Sequence, residues 1–216
     1  METIFFRKTF PPGTFLLTGS GVQWHAVFSK GYDELYLSYR VRFSDGFSNK
    51  DLHGKLPGLS GGKSNGGGYL PDGTDGWSAR FMFHGTDINF YLYYPDLFRH
   101  FGDSLPIPEK KYYGAGPLLN AGFILKPNVW YTVTQRVVLN TPGKSNGLVE
   151  GFINGKKCAQ QTGIRFRDVS DLTIDRIYFA NFLGGSGKKT SSLEHICFDD
   201  FFVYTYKPDK KGSAKT

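Results

Sequence analysis

Apolar and polar residues alternate along most of this chain, and a helical period is almost absent. In Leu35 to Phe43, the apolar positions Leu35, Leu37, Tyr39, Val41 and Phe43 interleave with Tyr36, Ser38, Arg40 and Arg42. That is the pattern of a strand with one face buried. Comparable runs predict strands over Trp77–His84, Ile88–Tyr94, Val129–Leu139, Leu148–Ile153, Lys156–Gln161, Ile174–Leu183 and His195–Tyr206. Asn154-Gly155 between two of these runs predicts a two-residue hairpin, because both turn positions tolerate positive φ. Short strands punctuated by glycine, proline and asparagine describe an all-β sandwich or jelly roll. Two stretches break the pattern, 44–76 and 95–126, and both read as long irregular segments. The first, with its Gly61–Gly68 tract, is expected to form a lid or groove wall.

The chain has 216 residues, 39% of them hydrophobic and 17% aromatic, which excludes a disordered polymer and allows a core without staples. No apolar run approaches the ~18 residues of a membrane helix. Nothing at the N-terminus reads as a secretory leader, and the compartment stays open. A single domain over residues 1–206 is expected, followed by a basic tail at 207–216. The net charge of +7 favours an anionic partner, whether nucleic acid, an anionic membrane surface or an acidic polysaccharide. Cys158 and Cys197 lack zinc or redox spacing and are expected to be free thiols.

Several chemistries fail on their motifs. Gly62-Lys63-Ser64 and Gly143-Lys144-Ser145 would need glycine at Pro57 and Val138 to form a phosphate loop. The five histidines show no metalloprotease spacing, and there is no Gly-x-Ser-x-Gly elbow. No strand carries the closely paired acids of a retaining glycosidase. Asp199-Asp200 are adjacent on a strand and so point to opposite faces, which suits a structural role.

One constellation survives. Ser78, Arg80, Met82 and His84 share a face of their strand, as do Asn89, Tyr91 and Tyr93 of the next. A two-residue turn at Thr86-Asp87 would set Gly85 opposite Ile88, Met82 opposite Tyr91 and Arg80 opposite Tyr93, ~5 Å apart at Cβ. These groups suit β-elimination in a uronic-acid polymer. A cation must neutralise the carboxylate, a base must take the C5 proton and an acid must protonate the leaving oxygen. Tyrosine could serve as base or acid if Arg80 lowers its pKa, with no metal involved.

The blocks Leu37–Phe43, His53–Gly62, Gly76–Phe83, Tyr91–Tyr93, Trp130–Val137, Asn140–Gly143, Thr162–Arg167, Phe179–Gly185 and Phe198–Phe201 resemble polysaccharide lyase family 14. The family contains alginate and glucuronan lyases from marine molluscs, algal viruses and microbes. The resemblance implies a β-jelly roll with a cleft over its concave sheet. It also implies catalytic roles for Lys55, Ser78, Arg80, Tyr91 and Tyr93, with Lys55 at the groove edge. His53, His84, Asn89, Gln135 and Arg136 are the expected substrate-binding residues. The Gly61–Gly76 loop and the Pro95–Pro117 segment depart from the alginate-specific members, leaving alginate and glucuronan both open. The expected protein is a monomeric lyase with an acidic polysaccharide as partner and no cofactor, metal, nucleic acid or membrane. The rival from another class is a non-catalytic, lectin-like binder using the same sheet.

Overall fold

The structure is a computed structural model and describes residues 5–15, 21–48, 51–97, 114, 116, 125–184 and 189–205. The 207–216 tail and nearly all of the 98–124 stretch lie outside the described residues. The described strands are β1 (Phe6–Phe10), β2 (Val22–Tyr32), β3 (Glu34–Phe43), β4 (His53–Gly62), β5 (Gly76–His84) and β6 (Asp87–Tyr93). They continue as β7 (Tyr131–Val138), β8 (Gly147–Ile153), β9 (Lys156–Ile164), β10 (Ile174–Asn181) and β11 (Glu194–Tyr204). Two antiparallel sheets result, in the orders β1-β11-β3-β7-β8-β9 and β2-β10-β4-β5-β6. This is the expected all-β jelly roll.

The core lies between the sheets. Trp77, Phe81, Phe83 and Phe90 of the five-stranded sheet meet Tyr39, Phe43 and Val133 of the other, all at most 1% exposed. Each such large apolar side chain contributes about 1.5–3 kcal/mol on burial. Alternation then sends Ser78, Arg80, Met82 and His84 to the opposite face of β5, and Asn89, Tyr91 and Tyr93 to that face of β6. Asn154 and Gly155 form the expected hairpin turn, with φ of 50° and 76°.

The β5–β6 register differs from the expected one by two residues. Gly85 and Thr86 form the turn, with His84 opposite Asp87. Gly85 has φ +61°, and a two-residue turn with glycine first is the one that suits this hairpin. Parity is unchanged, so the faces survive, but the pairs do not. Arg80 faces Tyr91, Ser78 faces Tyr93 and Met82 faces Asn89.

The 44–76 stretch is not all loop. It contains a short 3-10 turn at Asp45–Ser48 and the whole of β4, the middle strand of its sheet. Four glycines and Pro57 hide β4 from any propensity reading. The proline is accommodated by a bulge: Leu56 pairs with Phe81 and Leu59 with Ala79, so Pro57 and Gly58 together oppose Arg80. The edge strands β1 and β2 also escaped the pattern, being largely exposed and irregular in alternation.

Candidate active site

β4, β5 and β6 bring the expected lysine, arginine and tyrosines onto one face. Lys55 pairs across with Met82, Ser60 with Ser78, and His53 with His84. Lys55 is therefore on the floor of the site, 5% exposed, rather than at a groove edge. Its Nζ lies 3.6 Å from the centre of the Tyr91 ring and donates to Met82 Sδ at 3.1 Å. A thioether and a ring face are weak partners for an ammonium. Burial, reinforced by the charge of Arg80, lowers the Lys55 pKa to about 7.

Arg80 is 3% exposed, and its Nε has no hydrogen-bond partner. Among the described residues no carboxylate forms an ion pair with it. Its guanidinium carbon lies instead 4.3 Å from the Tyr178 ring centre, 5.4 Å from that of Tyr91 and 5.9 Å from that of Tyr93. Tyr178 comes from β10, two strands away. It reaches Arg80 because its partner on the intervening β4 is Gly58. His25 of β2 packs behind it at 4.6 Å. Neither Tyr178 nor His25 was expected from the sequence, where β10 read as an ordinary core strand and β2 was not read at all.

The Tyr91 and Tyr93 hydroxyls are 3.2 Å apart. Arg80 was expected to draw a phenolate form from this pair, but Tyr91 behaves oppositely. Burial and the neighbouring Tyr93 push its pKa far up, outweighing Arg80 and the Gly114 backbone hydrogen bond. Tyr91 is thus a protonated phenol across the physiological range.

Ser78 is fully buried, and its Oγ donates to the Asn65 carbonyl at 2.6 Å. It anchors the glycine-rich loop. Ser60 and Ser64 share a second hydrogen bond at 2.9 Å, and Gly68 N–H reaches Tyr93 Oη at 3.4 Å. The loop between β4 and β5 therefore stands as a wall over Arg80 and Tyr93.

His53 and His84 close one end of the site, their rings 4.2 Å apart. Burial, with the charges of His53 and Lys55, pushes the His84 pKa down to about 4, so that imidazole is neutral at pH 7. Asn89 shares this end, its Nδ2 donating to Phe90 O at 2.8 Å.

Gln135 and Arg136 are not in this site. Both belong to β7 of the other sheet, and alternation sends one inward and one outward. Gln135 is fully buried between the sheets, where Oε1 accepts from Leu59 N–H at 3.0 Å. Arg136 faces away from the core, bonded to Glu34 at 2.7 Å and Glu150 at 2.8 Å. Asp199 and Asp200 also lie off this face, in a bulge of β11 where Asp200 pairs with Arg40 at 3.4 Å. Cys158 and Cys197 are both free.

One face of this jelly roll thus carries tyrosines around a buried arginine and lysine. The polysaccharide lyase 14 family matches residues 3–201. The chain belongs to that family and is a polysaccharide lyase. Its fold is shared with the marine PL-14 alginate lyase of Aplysia kurodai at 24% identity, covering 94% of this chain and 83% of that one, with a TM-score of 0.72. A variant of the alginate lyase Aly36B, solved with an alginate tetrasaccharide, gives 20% identity, 94% and 81% coverage and a TM-score of 0.73. The endo-β-1,4-glucuronan lyase of the fungus Trichoderma reesei gives 12% identity, 94% and 81% coverage and a TM-score of 0.60. No curated protein sequence is a significant match.

Proposed function

We propose that this lyase depolymerises a 1,4-linked polyuronate by β-elimination at the face built from β4, β5 and β6. The observation that carries this is Arg80, a buried cation ringed by three tyrosines with no carboxylate partner among the described residues. A buried charge without a counter-ion is costly unless its function is to receive one. A uronate carboxylate supplies it, and neutralising that carboxylate is what makes the C5 proton removable.

Proton transfer follows from the two pKa directions. Lys55, neutral above about pH 7, takes the C5 proton as base. The C–H electrons form the C4–C5 double bond, and the C4–O4 bond breaks. Protonated Tyr91, hydrogen-bonded to Tyr93, supplies the proton to O4. The resulting phenolate recovers a proton from the Lys55 ammonium, which lies against the Tyr91 ring, and the site is reset. His53, neutral His84 and Asn89 contact the adjoining sugar.

Alginate is the first substrate and glucuronan the second, since the relatives with the higher TM-scores are alginate lyases by name. The test is the ultraviolet absorbance of the unsaturated uronate, followed with each polymer. A rise with either supports the reading. Binding of both without any rise would make the protein a lectin-like binder instead.

A further inference from the structure

Arg80 has no hydrogen bond to its Nε and no ion pair among the described residues, so its guanidinium is placed by its backbone and by packing. That backbone faces the Pro57–Gly58 bulge. A Cβ on Gly58 would lie 2.0 Å from Ala79 O and 2.5 Å from Arg80 Cα, so the two strands touch there without a side chain between them. A bulge frees ladder groups that must find other partners. Here both partners come from the opposite sheet, through the core. Tyr39 Oη of β3 donates to Pro57 O at 3.2 Å, and Gln135 Oε1 of β7 accepts from Leu59 N–H at 3.0 Å. The two bonds bracket Gly58.

Gln135 holds its place at a cost. It is fully buried, and its Nε2 has no partner. An apolar side chain of that size would remove the orphaned amide but leave the Leu59 N–H of the bulge without its acceptor. The glutamine thus serves the bulge opposite Arg80 at the cost of one orphaned amide, and such local violations concentrate at functional sites. We propose that Gln135 and Tyr39 are positioning residues for Arg80, acting through the β4 bulge from the far side of the core. The catalytic arginine then depends on residues of a sheet the substrate never meets. The kinetic half of this inference rests on the proposed polyuronate chemistry, and the positional half does not.

Two measurements test it. In the ligand-free protein, the Arg80 Nε–H NMR resonance is assigned by its loss in Arg80→Lys and followed in Gln135→Met and Tyr39→Phe. Both variants are expected to shift or broaden it. On a polyuronate, Gln135→Met should lower kcat/KM by ~10–100-fold, the scale of a misplaced catalytic group. In an Arg80→Lys background the same substitution should cost less than ~2-fold, while its effect on Tm is the same in both backgrounds. An unmoved Arg80 resonance in folded Gln135→Met, or equal kinetic losses in the two backgrounds, would overturn the proposal. A moved resonance in a protein inactive on every polyuronate would uphold the positioning and reject the substrate.

Discussion

In the proposed reaction, Lys55 concentrates the chemistry of the site in one ionisation. Its amine is held near neutrality by burial, where a surface lysine would titrate at 10.5. Replacing it by alanine should cut turnover at least ~100-fold, the scale for losing an acid–base group. With Lys55 as the proposed base, kcat/KM should rise with pH through about 7. A profile that falls across that window would instead make the ammonium the active form. The same shift affects stability. Between about 7 and 10.5 the unfolded chain holds a proton at Lys55 that the folded chain lacks, so stability should rise with pH over that interval. Urea titrations of the parent and Lys55→Met would show this, the slope being flatter in the variant. Tyr91→Phe and Tyr93→Phe keep the rings and delete the hydroxyls. One should lose most of its kcat and the other less, both remaining folded by circular dichroism. Two fully active variants would remove the tyrosines from the proton path.

Among the elements, the β5–β6 hairpin and β4 depended on the sequence in different ways. The hairpin is bounded by clean alternation, so its faces could be read directly. Its register could not, because one glycine decides which two residues turn. β4 was illegible, since its glycines and proline make sense only against the aromatic side chains of β5 and the bulge that β4 itself makes opposite Arg80. The wall loop is a further case. A Cβ on Gly66 would lie 2.7 Å from Arg80 Nη2, the far end of a flexible side chain, with no backbone in the way. Gly66→Ala should therefore displace the guanidinium at little cost to the fold. We expect kcat/KM to fall at least ~10-fold, by analogy with other small displacements of catalytic groups, with Tm nearly unchanged. A variant with parental kinetics would show that the loop does not limit where Arg80 sits.

For the whole molecule, two kinds of cation are separated in depth. The chain carries a net charge of +7, and charges exposed to solvent are screened beyond ~10 Å at 0.1 M salt. Arg80 and Lys55 are buried and escape most of that screening. Raising salt from low to physiological strength should thus raise KM for a polyanion and leave kcat nearly constant. A KM independent of salt would make the surface charge incidental. The sequence by itself determined the all-β class, most of the strands and the face on which serine, arginine and tyrosine gather, because alternation is a local property of the chain. It also carried the family, through blocks such as His-Gly-Lys-Leu-Pro-Gly-Leu and Trp-Ser-Ala-Arg. Only the tertiary structure decided that Lys55 lies on the floor, that Tyr178 meets Arg80 across Gly58, and that Gln135 and Arg136 belong elsewhere. Those facts depend on which strands become neighbours and how deeply each group is buried. The ionisation of Tyr91 turned on the same point, since desolvation opposed the nearby arginine and prevailed. Strand order and depth arise from contacts between residues distant in the chain, and no local pattern encodes them.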